Sequence, residues 1–183
     1  MNLWDKTELK IQEISRGISN TEMYILILRE VNGTRKLPIL LQKEEAQILS
    51  AEMRPFQSQK NTLLQCMRKI TSVYGIIIED ILINDVVKGK YMSQVTCYQN
   101  GQMEKIKASA FDGILIALNY RCPIYIRTGL LERQVFPTPS NDSISLPINT
   151  LSIELLEEAL NRAVECENYE LASQLRDEIN RRK

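Results

Sequence analysis

The feature that most constrains the fold is a pattern that occurs twice in the chain, in which three strand-like segments are followed by helix-forming residues. In the first half, the segments carry Ile, Leu and Val, and Asn32-Gly33 offers the positive φ angles of a tight hairpin turn. The strand-like segments are residues 8–16, 22–31 and 35–41, and the helix-like segments are residues 43–53 and 60–73. This half is predicted to be a three-stranded meander followed by two helices.

The second half repeats the plan with further turn signals. Lys88-Gly89 and Asn100-Gly101 separate its strand-like segments, as expected for tight hairpins. The strand-like segments are residues 76–87, 90–98, 102–108 and 123–127, and the helix-like segments are residues 111–120 and 129–133. The sequence therefore predicts an α+β fold, with a mixed, mainly antiparallel twisted sheet made from two three-stranded meanders and packed helices.

A proline-rich stretch separates this body from the last part of the chain. Residues 134–150 hold three of the six prolines, mixed with Ser, Asn and Asp and without periodicity, which is typical of a linker of limited flexibility. The predicted organisation is therefore a body at residues 1–133, the linker, and a helical module at residues 151–183.

The C-terminal module has apolar residues at helical spacing on two consecutive segments. The first stripe consists of Leu156, Ala159, Leu160 and Ala163, and the second consists of Tyr169, Ala172, Leu175 and Ile179. Two short helices bury too little apolar area to be stable alone. We therefore predict an antiparallel helical hairpin whose stripes dock on another protein, on a second copy of the chain, or on the body.

The second helix of this module carries the residue order of a known motif. The run ENYELASQLRDEI, residues 167–179, resembles the UVR motif, the hairpin shared by the bacterial excision-repair proteins B and C. The alternative is a generic amphipathic hairpin. The resemblance implies a protein-interaction module with a link to DNA repair, and a second copy as partner would make the protein a homo-oligomer. The predicted partner-binding residues are Leu156, Leu160, Tyr169, Ala172, Leu175, Arg176 and Ile179.

Composition limits the chemistry that the chain can perform. The sequence has no histidine, which removes the usual general base and the usual nitrogen ligand for metals. Lys and Arg balance Asp and Glu at 23 each, so the net charge does not support nucleic-acid binding, although a local site stays open. The four cysteines form no CxxC pair, which argues against zinc. With no evident signal peptide or membrane-spanning stretch, we expect a cytoplasmic protein without membrane contact.

Two segments of the body resemble the bacterial bifunctional nuclease domain, and the resemblance spans residues 8–133. The segments are LPILLQKEEAQI, residues 37–48, and ASAFDGILIALNYRCPIYI, residues 108–126. The family pattern of Leu-Pro-Ile followed by Glu-Ala is matched at 37–39 and at 45–46, with Gln42 in the place of a glycine. The resemblance implies a nuclease that hydrolyses phosphodiester bonds in DNA or RNA.

Most of the family's polar motif is replaced in this chain. Of a family run with two aspartates before a helix, only Asp112 remains, within KASAFDG at residues 107–113. The histidine and aspartate of a further family segment are replaced by Asn61 and Thr62. The resemblance leaves Glu45 and Asp112 as the catalytic candidates, which need Mg²⁺ or Mn²⁺ if the site is active.

Other interpretations of the charged residues stay open at this point. Glu44 and Glu45 would also complement the dipole of a first helical turn, and Asp112 would also suit a helix N-terminus. Further carboxylates that the fold could gather around a metal are Glu79, Asp80 and Asp85, and basic residues that could meet phosphate are Arg54, Lys60, Arg68 and Lys69. The leading expectation is a nuclease-family protein with a degenerate site that acts through its hairpin. The alternative is an active metal-dependent nuclease.

Overall fold

The structure, a computed structural model, describes residues 5–16, 23–54, 62–134, 153–165 and 168–182. The strands are β1 (Lys6–Arg16), β2 (Tyr24–Glu30), β3 (Lys36–Leu41), β4 (Ile77–Val87), β5 (Lys90–Gln99), β6 (Gln102–Ser109) and β7 (Ile124–Arg127). The helices are α1 (Lys43–Met53), α2 (Thr62–Val73), α3 (Ala110–Tyr120), α4 (Thr128–Gln134), α5 (Ile153–Glu165) and α6 (Tyr169–Arg182). Among the described residues, no helix combines the length and the apolar character needed to cross a membrane.

The chain divides into two compact units, Met1–Val135 and Phe136–Lys183. All seven strands belong to the first unit, and α5 and α6 belong to the second. The predicted linker lies outside the described residues except for its first position. The chain thus contains a sheet-based body and a separate helical unit.

The seven strands form one sheet in the order β3-β2-β1-β7-β4-β5-β6. β1, β2 and β3 pair antiparallel as one meander, and β4, β5 and β6 pair antiparallel as the other. The short strand β7 lies between the two meanders, antiparallel to β1 and parallel to β4. The predicted α+β class, with a mixed and mainly antiparallel sheet, is confirmed.

Helices pack on the sheet and form the main core with it. α3 contacts β4 and β5, α1 contacts β2 and β3, and the two helices contact each other. β7 adds Ile124 and Ile126 to this core, directly beside Ile81 and Ile83 of β4. Burial of each isoleucine contributes about 1.5–3 kcal/mol, which explains why a strand of only 4 residues holds the centre of the sheet.

The turns of the second meander have the backbone conformation that their sequences predict. A two-residue turn of type I′ needs positive φ at both central residues. The φ angles are 49° at Lys88, 76° at Gly89, 52° at Asn100 and 80° at Gly101. The predicted tight connections from β4 to β5 and from β5 to β6 are confirmed.

The connection between β2 and β3 differs from its prediction. The expected positive-φ pair at Asn32-Gly33 is wrong, because neither residue has a positive φ angle. The Glu30 backbone N–H donates to the Arg35 carbonyl at 3.0 Å, so the loop between them is longer. Arg35 also forms an ion pair of 2.7 Å with the Glu30 carboxylate, and a Cβ atom at Gly33 would collide with that carboxylate. The glycine is therefore needed for space and not for its φ angle.

The C-terminal unit is a helical hairpin in which the two apolar stripes pack against each other. α5 and α6 are separated by a short connection and contact each other along their length. The buried residues are Leu156, Ala163, Ala172, Leu175 and Ile179, with Ala159 and Leu160 partly buried beside them. Each helix therefore buries part of its apolar stripe against the other, and docking on a further surface stays a prediction.

Helix α3 approaches the sheet most closely at Gly113. A Cβ atom there would overlap Ser93 Oγ and would lie 2.8 Å from Ile81 Cγ2. The Ser93 hydroxyl is held in place because it donates to the Ser109 carbonyl at 2.8 Å. Gly113 therefore sets the distance at which α3, with Asp112 in its first turn, lies on the sheet.

We predict that Gly113→Ala lowers the free energy of unfolding by about 1–3 kcal/mol, because the added methyl group overpacks the contact between α3 and the sheet. Gly129→Ala is the matched control. A Cβ atom at Gly129 in α4 meets nothing within 4 Å, and alanine is the better helix former. Urea unfolding measures both variants, and equal stability of the two would contradict the close approach at Gly113.

Candidate functional site

The first predicted catalytic carboxylate, Glu45, lies in the first turn of α1. Its Oε2 atom accepts a hydrogen bond of 2.8 Å from the Gln42 backbone N–H. A helix start leaves such N–H groups without partners inside the helix, and a side-chain acceptor satisfies one of them. Glu44 and Glu45 follow strand β3 directly, where their negative charges complement the helix dipole. Glu45 therefore has a capping role in the structure.

The second predicted catalytic carboxylate, Asp112, lies in the first turn of α3 and is exposed. Ser109 is the N-cap residue, and its Oγ atom accepts a hydrogen bond of 3.0 Å from the Asp112 backbone N–H. The same hydroxyl donates to Asp112 Oδ2 at 2.7 Å. Asp112 thus supports its own helix start, as Glu45 does in α1.

The pairing of the strands places these two helix starts at opposite ends of the sheet. β1, β3 and β5 run in one direction, and β2, β4, β6 and β7 run in the other. α1 begins where β3 ends and α3 begins where β6 ends, so the two starts lie at opposite ends. β3 and β6 are also the two edge strands of the sheet. The strand order thus assigns Glu45 and Asp112 to helix starts at opposite edges and opposite ends of the sheet.

This separation bears on the expected metal. Mg²⁺ holds its ligands at about 2.0–2.1 Å, so two carboxylates that share one ion must be near neighbours. In the part of the chain that the structure describes, no three His, Cys, Asp or Glu side chains are grouped closely enough to hold a metal ion. Of the other acidic candidates, Glu44, Glu79 and Asp85 are exposed.

Asp80 is different, because it is a buried carboxylate on β4, an interior strand of the sheet, and is only 9% exposed. Its Oδ2 atom accepts a hydrogen bond of 3.0 Å from Lys6 Nζ, while its buried Oδ1 atom has no hydrogen-bond partner among the residues that the structure describes. Lys6 Nζ also lies 5.4 Å from the centroid of the Tyr125 ring. A buried oxygen without a partner is costly and needs an explanation. The Lys6–Asp80 pair is therefore a second candidate position for function.

The groups around Asp80 have raised pKa values. Burial is the main reason for the raised pKa of Tyr125, and burial raises the pKa of Cys122 to about 11, with nearby carboxylates contributing in both cases. A hydrogen bond with Glu79 is the main reason that the pKa of Tyr98 is raised. All three side chains keep their protons at neutral pH, so none of them acts as a base there.

Sequence reasoning considered Asp80 together with Glu79 but did not find Lys6. The available signal was two adjacent acids, Glu79 and Asp80, between apolar residues near the start of β4. The lysine partner lies 74 positions earlier in the chain, on a different strand. Only the insertion of β7 between β1 and β4 brings the two side chains within hydrogen-bond distance.

The basic residues considered for phosphate contact have identifiable positions. Arg54 follows α1 as its C-cap residue, and Arg68 and Lys69 lie on α2. The Arg68 Nη1 group donates to the Asn119 carbonyl at 3.3 Å, so this side chain helps to hold α2 on α3. Lys60 lies outside the described residues.

The predicted partner-binding residues of the hairpin fall into two groups. Leu156, Ala172, Leu175 and Ile179 are buried between the helices, and Leu160 is partly buried. Tyr169 is 69% exposed and the Arg176 side chain is 63% exposed. These two residues are seven positions apart, which is two helical turns, so they lie on the same side of α6. The side chains of this set that another molecule can reach directly are Tyr169 and Arg176.

A seven-stranded mixed sheet with packed helices and a separate helical hairpin defines a two-unit α+β protein. The family model of the bifunctional nuclease domain matches residues 26–139, and the model of the UvrB/UvrC motif matches residues 150–183. Because the first match covers more than half of the chain, the protein belongs to the bifunctional nuclease domain family. Both resemblances inferred from the sequence are confirmed.

Two curated relatives come from Mycobacterium tuberculosis, one from strain CDC 1551 / Oshkosh and one from strain H37Rv. Each is 24% identical to this chain over 139 residues, and the match covers 75% of this chain and 83% of the relative. Both are described as uncharacterized proteins, so they suggest no activity or partner.

We predict that Glu45 and Asp112 contribute to stability independently of each other. Glu45→Ala and Asp112→Ala each remove support from a helix start and are expected to cost about 0.5–2 kcal/mol. Distant residues without shared partners act additively, so the double variant is expected to lose the sum of the two effects within about 0.5 kcal/mol. Urea unfolding of the four proteins, with EDTA and with magnesium, measures this double-mutant cycle. A coupling energy above about 1 kcal/mol in either condition would show that the two carboxylates share a site.

Proposed function

We propose that this member of the bifunctional nuclease family acts mainly by binding another protein through its UVR-type hairpin. We also propose that Glu45 and Asp112 no longer form a catalytic pair. The observation that supports this most directly is that both carboxylates cap helices that begin at opposite ends and opposite edges of the sheet. Each carboxylate then has a structural use that explains its presence without catalysis.

The chemistry of phosphodiester hydrolysis gives further support. The reaction needs a base or a metal to activate water, and positive charge to stabilise the transition state. The chain has no histidine, and the tyrosines and the cysteine near Asp80 keep their protons at neutral pH. These features favour binding over hydrolysis as the main activity.

The exposed side of α6 suits contact with a protein. Tyr169, Ser173 and Arg176 are spaced four and three residues apart, so they form one surface row. The Arg176 guanidinium donates to Ser173 Oγ at 3.4 Å and to Asp177 Oδ1 at 3.3 Å, and such long exposed contacts are weak. The guanidinium is therefore available to a partner carboxylate or carbonyl group. Tyr and Arg are also the residue types that most often dominate binding energy at protein interfaces.

We expect Tyr169→Ala and Arg176→Ala each to weaken partner binding by about tenfold or more, as for other interface hot spots. A protein retained by the full-length chain would be identified, purified and titrated against each variant. Gln174→Ala is the matched control, because Gln174 is exposed on another side of α6 and its loss leaves the row intact. Leu175→Asp tests the fold separately, since it places a charge in the hairpin core and is expected to reduce helix content in circular dichroism. Unchanged affinity in both row variants would contradict the proposed surface.

The matching prediction for the body is that the purified protein shows no cleavage of single-stranded or duplex DNA or RNA. Assays with Mg²⁺ or Mn²⁺ are expected to give the same background for the wild type and for Asp112→Ala. Metal-dependent turnover that is abolished by Asp112→Ala and also by Glu45→Gln would overturn the proposal.

A working nuclease is the second candidate function, and the Lys6–Asp80 pair favours it. A carboxylate whose second oxygen has no partner in the described part of the chain, beside a lysine, offers a base and a positive charge at one position. The nuclease assay separates this candidate from the first one. Cleavage that survives Asp112→Ala but is lost in both Asp80→Asn and Lys6→Met would assign the chemistry to this pair.

A further inference from the structure

The two edge strands of the sheet differ in how open they are to pairing with another chain. β3 has only 6 residues and contains Pro38, which has no N–H group to offer to an added strand. β6 has 8 residues without proline or glycine, and residues 102–107 are all exposed. Neighbouring residues of a strand point to opposite faces, so β6 is open on both faces along most of its length. An edge strand of this kind is a template for strand pairing.

The hairpin turn determines which backbone groups of β6 point away from the sheet. In a two-residue hairpin, the residues that flank the turn, here Gln99 and Gln102, form a hydrogen-bonded pair. Hydrogen-bonded and non-hydrogen-bonded pairs then alternate along β5 and β6, whose register has no bulge. The backbone groups of Met103, Lys105 and Lys107 therefore point to the outer edge, where no strand of the described residues pairs with them.

The side chains of the same three residues give this edge a positive charge on one face. Lys105 lies directly opposite Thr96 and Lys107 directly opposite Gln94, so neither lysine faces a carboxylate across the strand pair. In the described part of the chain, neither lysine forms an ion pair. Met103 beside them is 49% exposed. The outer edge thus combines free backbone groups, two positive charges and an apolar side chain.

A second copy of β6 does not suit this edge. Directly opposite residues of an antiparallel pair share a face, so a symmetric pair must be centred on one residue. Centring on Glu104, Lys105 or Lys107 sets that residue beside its own copy, and centring on Ile106 sets Lys105 beside the lysine at 107 of the other copy. Centres nearer to either end leave few strand residues paired. Like charges directly opposite are destabilising, so the lysines disfavour self-pairing.

We infer that β6 binds an extended segment of a partner protein that carries acidic residues at alternating positions. In an antiparallel arrangement, the acidic residues lie opposite Lys107 and Lys105, an apolar residue between them lies opposite Ile106, and a second apolar residue lies opposite Met103. Backbone hydrogen bonds provide affinity, and the opposite-charge pairs select the partner and its register. A nucleic acid would meet the two lysines but could not continue the backbone ladder.

The test measures the binding of two fluorescein-labelled peptides to the full-length protein by anisotropy. The first, Thr-Glu-Val-Glu-Thr-Val-Thr, has the inferred residue order. The second, Thr-Thr-Glu-Glu-Val-Val-Thr, has the same composition with adjacent glutamates. Adjacent side chains of a strand point to opposite faces, so only one glutamate of the second peptide can lie beside the lysines. We expect the first peptide to bind about threefold or more tightly than the second.

Variants of β6 separate the role of charge from that of the backbone. The double variant Lys105→Glu, Lys107→Glu replaces attraction by repulsion, and we expect it to weaken binding of the first peptide about tenfold. Met103→Pro removes one outward N–H group and keeps both lysines, with an expected loss of about threefold. Met103→Val is the matched control, because it changes the same side chain but keeps the N–H group. Tyr169→Ala changes only the hairpin surface and is expected to bind the peptide like the wild type.

Four results would overturn the inference. They are equal binding of the two peptides, no measurable binding of either, binding that survives the double charge reversal, and loss of binding in Tyr169→Ala, which would assign the peptide to the hairpin. Equal affinity of folded Met103→Pro and Met103→Val would also contradict it, since the peptide would then not use the backbone edge. If circular dichroism shows that Met103→Pro does not fold, the peptide order and the charge reversal decide the question.

Discussion

The parallel pairing of β7 with β4 is the constraint on which the rest of the structure depends. Each meander can form by local antiparallel pairing, but each would then leave a strand edge, at β1 and at β4, with unpaired backbone groups. β7 pairs with β1 on one side and with β4 on the other, so the backbone groups at both edges gain hydrogen-bond partners. It also buries Ile124 and Ile126 beside the isoleucines of β4. The pairing of β7 with β1 and β4 fixes the relative direction of the strands in the two meanders. It thereby fixes the ends of the sheet at which α1 and α3 begin, and it also brings Lys6 to Asp80.

The position of the helix starts determines what the family carboxylates can do. The negative charge of a carboxylate in a first helical turn can serve two purposes. It can stabilise the helix start by accepting hydrogen bonds from backbone N–H groups, or it can bind a metal cation for catalysis. In this chain the structural use is visible at Glu45 and at Asp112. The Leu-Pro-Ile and Glu-Ala pattern also supports the fold, because Leu37, Ile39 and Ala46 all lie in the main core. These three residues of the family pattern thus have a packing role in this chain.

Local patterns in the sequence predicted the elements, and non-local pairing decided the rest. Apolar runs, Lys88-Gly89 and Asn100-Gly101 predicted the strands and turns of the second meander, because side-chain spacing and turn backbone are local properties. No local pattern shows that β7 lies between β1 and β4. The Asn32-Gly33 prediction failed because a neighbouring ion pair, not the turn residues alone, shapes that loop. Apolar spacing also could not show that apolar residues of the two hairpin helices pack together, while Leu63, Ile70 and Val73 of α2 stay exposed.

The central claim is that the starts of α1 and α3 lie far apart, and a distance measurement tests it most directly. Spin labels attached through genetically encoded ketone residues at Glu44 and Lys107, both exposed and close to these helix starts, leave the cysteines untouched. From the strand spacing, double electron–electron resonance is expected to give a separation of at least about 20 Å. A separation below about 15 Å would contradict the account, because it would bring the two carboxylates towards one site.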